Sequence, residues 1–255
     1  MTEPYYSDEW VTLYHGRCED VLPTLDMVDV VVTSPPYNLG VSSGGGFGDI
    51  RKYPAAKVGK WSGGALAQGY ADHTDDMDPA EYRSWQAGVL RLCWAQVCDT
   101  GAIFYNHKPR VQAGLLECPT DWNPGLPLRQ IIVWDRGSGM NFAPTHYCPQ
   151  QEWIVVYAKP AFRLAAKGSG VGDVWRIPPE RNVDHPAPFP VALPERVIAT
   201  TGAGSVLDPF AGSGSSLVAA KRCGVKAIGI ELSERYCEIA AKRLAQGVLD
   251  FGGAS

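Results

Sequence analysis

No run of apolar residues in this chain approaches the length of a membrane span, and the opening Met1-Thr2-Glu3-Pro4 lacks the basic and apolar regions of a secretory leader. A cytoplasmic protein without a membrane partner is expected. The seven cysteines are odd in number and contain no CxxC pair, so neither a disulfide framework nor a zinc site is indicated, and no metal is expected. Positive charge is also scarce. A formal net charge of -4 argues against binding nucleic acid with the whole surface, but it leaves room for a local basic patch. Two nucleotide signatures are missing as well. A dinucleotide turn, Gly-x-Gly-x-x-Gly, would need glycine where Leu217 stands, and no Gly-Lys-Ser/Thr of a phosphate loop occurs.

What the chain does hold is two strand-to-turn junctions. The first is Val28-Asp29-Val30-Val31-Val32, a run suited to a strand buried on both faces, which stops at Thr33-Ser34-Pro35-Pro36-Tyr37-Asn38. Two prolines remove two backbone donors and keep the chain extended as it leaves the sheet. The Ser34 hydroxyl and the Ser34 or Pro35 carbonyl can accept from an amino group, and Tyr37 offers a stacking face. The second junction is Ser205-Val206-Leu207-Asp208-Pro209-Phe210-Ala211-Gly212-Ser213-Gly214-Ser215-Ser216, a strand ending in a glycine turn that opens a helix. Glycine lets a ligand approach the backbone closely there. The strand Ala227-Ile228-Gly229-Ile230 then delivers Glu231, which can take both hydroxyls of a ribose.

Between and around these junctions the pattern alternates strand and helix. Strands are expected over 11–15, 101–106, 129–134 and 152–157, with helices over 18–22, 191–198 and after Ser233. Asp78-Pro79-Ala80-Glu81 starts a helix as a capping box, and Tyr82, Trp85, Val89, Leu92 and Cys93 recur on its core face. Residues 39–70 are rich in glycine and carry Arg51, Lys52, Lys57 and Lys60 with Tyr53 and Trp61 between or beside them, the makings of a nucleic-acid clamp. Residues 158–188 read as a loop.

The tetrapeptide Ser34-Pro35-Pro36-Tyr37 resembles motif IV of the amino-methyltransferases that modify exocyclic amino groups of DNA bases, and Asp208-Pro209-Phe210-Ala211-Gly212-Ser213-Gly214 resembles their motif I. His185-Pro186-Ala187-Pro188-Phe189-Pro190 is similar to motif X, His146 through Val156 with Glu152 to the segment supporting the target base, and Tyr70 to Tyr82 with Asp75-Asp76 to the segment after the catalytic turn. The catalytic turn precedes the cofactor turn, as in the circularly permuted β group. The resemblance implies one α/β domain over 1–255, a Rossmann-like methyltransferase fold with a mixed, mostly parallel sheet and helices on both faces.

It further implies S-adenosylmethionine as cofactor, held by Asp208, Phe210, Gly212, Ser213, Gly214, Ser215, Glu231, Asn38, Cys18, His185, Phe189 and Pro190. Ser34, Pro35, Pro36 and Tyr37 would act on the base; Arg51, Lys52, Lys57, Lys60 and Arg136 would contact double-stranded DNA. Segments 39–70 and 158–188 are the candidate readers of sequence. Serine before Pro-Pro favours N4 of cytosine over N6 of adenine within the family. A C5-cytosine enzyme would need a cysteine after a proline, and Cys148 precedes Pro149. The chain departs from the family at Arg17, where an aspartate usually takes the cofactor's adenine; Cys18, Glu19 or backbone would serve instead. RNA or a protein amide as substrate, an inactive DNA-binding module, a cognate restriction endonuclease, and monomer against homodimer all remain open at this level.

Overall fold

A computed structural model describes residues 3–38, 77–112, 114–139, 144–180 and 190–246. In chain order its elements are β1 (Tyr6–Ser7), β2 (Val11–His15), α1 (Cys18–Val21), β3 (Val28–Thr33), α2 (Pro79–Gln96), β4 (Val97–His107), β5 (Arg110–Gln112), β6 (Leu115–Glu117), β7 (Leu128–Asp135), β8 (Gln151–Ala158), β9 (Val174–Arg176), α3 (Ala192–Thr201), β10 (Ser205–Asp208), α4 (Ser215–Arg222), β11 (Lys226–Glu231) and α5 (Glu234–Gln246). Nine strands form one sheet in the order β1-β2-β11-β10-β3-β4-β8-β7-β9, and β5 with β6 makes a separate hairpin. From β2 to β4 every pairing is parallel; β8 then runs antiparallel to β4, and β7 antiparallel to β8.

The valine run is β3, between β10 and β4, and its side chains fill both faces. Val30 and Val32 pack in the core that also holds Leu193, Val197, Leu217 and Ala240 from α3, α4 and α5. Val28 and Val31 join Val21, Tyr82, Val89 and Leu90 from α1 and α2 on the other face. Full burial of one such side chain is worth about 1.5–3 kcal/mol, which is why an uninterrupted apolar strand takes a central place. Asp29 is the exception in the run, and it has a use. Its carboxylate accepts from Gly204 N at 2.9 Å and from Ser205 Oγ at 3.0 Å, pinning the start of β3 to the start of β10.

Successive strands β10 and β11 run to one side of this pair, and β3 and β4 to the other. The carboxyl ends of β3 and β10 therefore flank the switch point of the sheet, where open α/β folds leave a crevice. Both junctions singled out in the sequence lie there.

Several expected boundaries move. The helix that starts at Asp78 runs directly into β4 at Val97, before the expected strand start at Gly101. Asp78 accepts from the Ala80 and Glu81 amides, the N-cap half of the box. Residues 158–188 are not all loop: β9 pairs with β7 and buries Trp175, which a three-residue strand among glycines does not announce. Among the described residues, no helix is long and apolar enough to cross a membrane, and no group of three or more His, Cys, Asp or Glu could hold a metal ion.

Candidate active site

The first junction ends in a hydrogen-bonded cluster. Tyr37 OH donates to Glu152 Oε2 at 2.9 Å, and the Ser34 Oγ lies 3.0 Å from Tyr37 Oη. Because Tyr37 has one proton and directs it at Glu152, the Ser34 hydroxyl donates to Tyr37, and its oxygen accepts from Asn106 with one lone pair remaining. Asn106 Nδ2, at the end of β4, sits between Ser34 Oγ (3.3 Å), Tyr37 Oη (2.8 Å) and Glu152 Oε2 (3.0 Å). Arg136 Nη1 donates to the other Glu152 oxygen at 2.9 Å. Asn106 and Glu152 are buried, and the buried Asn106 Oδ1 has no partner among the described residues.

A second layer fixes the turn from below. The Pro36 carbonyl is 2.7 Å from Tyr82 OH and accepts from Gln86 Nε2 at 3.3 Å. Tyr82 OH is also 2.7 Å from His107 Nε2, and His107 Nδ1 is 3.1 Å from the Lys108 carbonyl. Burial lowers the His107 pKa to about 3, so the ring is neutral. With its proton on Nδ1 for Lys108, Nε2 accepts, and the single Tyr82 proton is shared between His107 and Pro36. From the side, Arg110 Nη1 donates to the Tyr37 and Asn38 carbonyls, each at 2.7 Å, while Glu117 at the end of the β5–β6 hairpin pairs with Arg110. The hairpin thus carries a guanidinium to the Ser-Pro-Pro-Tyr turn. Sequence reasoning singled out neither Arg110 nor Asn106. A strand ending Tyr-Asn-His beside the Pro-Pro turn was the available signal for Asn106, and Arg110 had none.

The second junction is braced from within. Asp208, fully buried, accepts from Thr33 Oγ1 at 2.7 Å, Phe210 N at 3.0 Å and Ser216 Oγ at 2.5 Å. Thr33 immediately precedes Ser34, so one carboxylate joins the two turns. Gly212 (φ 52°) and Gly214 (φ 84°) occupy the left-handed region, and a Cβ on Gly214 would meet Ala240 Cβ at 3.0 Å. Glu231 accepts from Gly212 N and Ser233 N, both at 2.8 Å, and burial raises its pKa. Phe210 stands edge-on to Trp85 with centroids 5.6 Å apart, and Trp85 Nε1 donates to Glu19 at 2.7 Å. Burial pushes the Glu19 carboxyl up, but the Trp85 hydrogen bond and its other donors more than offset this, and its pKa ends below the ordinary value.

Burial raises the Asp208 pKa from 3.8 to about 6. The native state therefore holds an extra proton between those values, and the stability this group contributes falls as pH rises through them. Asp208→Asn removes that dependence. The unfolding free energy of the variant minus that of wild type should rise by about 2 kcal/mol between pH 4 and 6.5, read by urea titration at each pH. A flat difference would mean that Asp208 takes up no proton on folding.

Two sets of expected site residues come together in the structure. Ser34, Pro35, Pro36 and Tyr37 come together with Glu152, and Asp208, Phe210, Gly212, Ser213, Gly214, Ser215 and Glu231 form the second turn. Three side chains have structural partners: Asn38 exchanges two hydrogen bonds with the Met77 backbone, the Ser213 carbonyl and hydroxyl accept from Arg243, and Arg136 faces Glu152 inside the cluster. Cys18 is buried, and burial pushes its thiol pKa far up. Pro190 is buried at the entry to α3. His185, Phe189, Arg51, Lys52, Lys57 and Lys60 lie outside the described residues.

The residues fit S-adenosylmethionine. The turn is opened by two left-handed glycines, Ser215 Oγ is buried beside it with no partner among the described residues, and a carboxylate stands at the next strand end. An acceptor-lined turn beside such a cradle, at the switch point of this sheet, suits a methyltransferase acting on amino groups.

The sequence matches the DNA methylase family model over residues 28–242, from the first residue of β3 into α5. It is 30% identical to the Type II methyltransferase M.ScaI of Streptomyces caespitosus over 96% of this chain and 84% of that protein. In structure it is similar to the PvuII DNA methyltransferase (cytosine-N4-specific), with a TM-score of 0.72 and 17% identity over 99% and 91% of the two chains. It also resembles the Thermus thermophilus DNA modification methylase TTHA0409 complexed with S-adenosyl-L-methionine, with a TM-score of 0.60 and 24% identity over 94% and 96%. The chain belongs to the DNA methylase family, the β-group amino-methyltransferases of cytosine N4 and adenine N6, and its methyl donor is S-adenosylmethionine.

Proposed function

We propose that the chain methylates N4 of cytosine in double-stranded DNA, at a base turned out of the helix. The observation that carries this reading is the hydrogen-bonded chain from Ser34 through Tyr37 to Glu152, from which we infer that Ser34 Oγ keeps a lone pair beyond the one facing Asn106 Nδ2 as an acceptor. An exocyclic amine is a poor nucleophile because its lone pair is delocalised into the ring. Ser34 Oγ, with the Ser34 and Pro35 carbonyls, would accept from both N–H groups and favour a pyramidal nitrogen; the Pro36 carbonyl is already occupied by Tyr82 and Gln86. S-adenosylmethionine supplies the electrophilic methyl group when bound. As the nitrogen loses a proton, Ser34 takes it and passes its own to Tyr37, whose proton goes to Glu152. Glu231 would hold the ribose hydroxyls, and Glu19 rather than the buried Cys18 would accept from the adenine amino group.

Cytosine rather than adenine is supported by serine at the head of the turn, through its family resemblance. The basic segment 39–70 and the segment 158–188 are proposed to read the DNA sequence, and the Type II name of the Streptomyces relative supports a restriction–modification setting. Mass spectrometry of nucleosides from unmethylated DNA treated with the protein and S-adenosylmethionine is expected to show N4-methylcytosine. N6-methyladenine instead would retain the mechanism and overturn the choice of base.

A further inference from the structure

The Ser-Pro-Pro-Tyr turn runs into a residue with an uncommon backbone. Asn38, with a φ of 52°, is the one non-glycine residue in the left-handed region among the described residues. That conformation costs an L-residue on the order of 1 kcal/mol and persists only where the surroundings fix it. Two sets of contacts do so. The Asn38 side chain accepts from Met77 N at 2.7 Å and donates to Met77 O at 2.9 Å. On the backbone, Arg110 Nη1 donates to the Tyr37 and Asn38 carbonyls, the pair that flanks the left-handed residue. A guanidinium has five N–H groups, and four of Arg110's are engaged inside the molecule: both on Nη1 at those carbonyls, and Nε with one on Nη2 at Glu117 Oε2, each at 3.3 Å. Glu117 Oε1 takes Arg83 of α2 at 2.6 Å. So occupied, Arg110 is aimed at the turn and is not free to grip a phosphate. The Tyr37 ring meanwhile lies against His107, with centroids 4.4 Å apart. Backbone and ring are thus held from two sides, and the hydroxyl falls between Ser34 and Glu152.

We propose that Arg110 is a positioning residue for methyl transfer: it holds the Tyr37 backbone so that the Tyr37 hydroxyl spans Ser34 and Glu152, and Glu117 keeps it aimed there. It acts through Tyr37 and touches neither DNA nor S-adenosylmethionine. A misplacement of about 1 Å at a reacting centre can cost roughly 100-fold in rate, so a residue without contact to substrate can matter this much. The inference rests on the proposed role of the Ser34–Tyr37–Glu152 chain, not on which base is modified.

The test uses the full chain and a duplex carrying its methylated site, found by sequencing treated DNA. Single-turnover rates are expressed per cofactor-binding site, counted by calorimetric titration with S-adenosylmethionine, so that loss of folded protein does not enter them. Arg110→Ala is expected to be about 10- to 100-fold slower than wild type, yet within about threefold of its parent in a Tyr37→Phe background. The dissociation constant for S-adenosylmethionine and the salt dependence of DNA binding should stay as in wild type. Glu117 keeps Arg83 as a partner in this variant. In Arg110→Lys a single nitrogen cannot serve both the turn and Glu117, so this variant is expected to be slow as well, and it carries the same comparison if Arg110→Ala binds no cofactor. Wild-type rates in either variant, or equal slowing in both backgrounds, would overturn the assignment. A shallower salt dependence would make Arg110 a phosphate contact and overturn it too. A Tyr37→Phe variant as fast as wild type would remove the proposed role of the chain and this inference with it; a slow Tyr37→Phe beside a fast Arg110→Ala would remove this inference alone.

Discussion

Ser34→Ala is expected to lower kcat by about two to three orders of magnitude while leaving the dissociation constant for S-adenosylmethionine unchanged within a few-fold. The size follows from what preorganised polar groups contribute at a reacting centre, where loss of one typically costs about 100- to 1,000-fold. The split follows from the geometry. Ser34 Oγ touches Tyr37 and Asn106, whereas the glycine turn is held by Asp208 and Glu231, so the substitution removes an acceptor for the base and nothing from the cofactor cradle. Asn106 Nδ2 retains Tyr37 and Glu152 as partners, so the cluster stays closed. Single-turnover kinetics and calorimetry separate the two quantities. A variant with wild-type kcat would show that the backbone carbonyls suffice, and a variant that no longer binds cofactor would show that the turns are one unit.

Glu231→Gln should do the reverse. Hydrogen bonds to a charged group contribute roughly 1.5–3 kcal/mol, so the dissociation constant for S-adenosylmethionine is expected to rise about 10- to 100-fold, with kcat at saturating cofactor largely retained. The amide also has only one acceptor oxygen for the two backbone donors, Gly212 N and Ser233 N, that Glu231 now satisfies with two. Part of the loss would therefore come from a loosened turn, which a lower melting temperature would report. An unchanged dissociation constant would reduce Glu231 to a brace.

The fold was legible where residues alone dictate local structure. The valines of β3, the glycines after β10 and the Asp78 cap each have one good solution, and each lies where expected. Illegible were the contacts made across long separations. Asp29 in an apolar strand is a puzzle until Gly204 and Ser205 lie beside it, 175 and 176 residues away. Arg110 belongs to a three-residue strand too short to carry a pattern, and the distance it reaches to Tyr37 is a property of the assembled sheet. Arg136 shows the same limit: an arginine after a strand suggests a phosphate contact, and only the pairing of β7 with β8 brings it to Glu152.

The carboxylate of Asp208 accepts from Thr33, one residue before Ser34, and from Phe210 and Ser216 in the other turn. Thermodynamically this is a linkage. If a ligand settling on the glycine turn tightens Asp208 against its partners, it also orders the segment that receives the base, and the free energy gained at one place appears as affinity at the other. Reciprocity then makes the factor the same whichever ligand arrives first, so the enzyme would grip an extruded base more firmly once its methyl donor is in place.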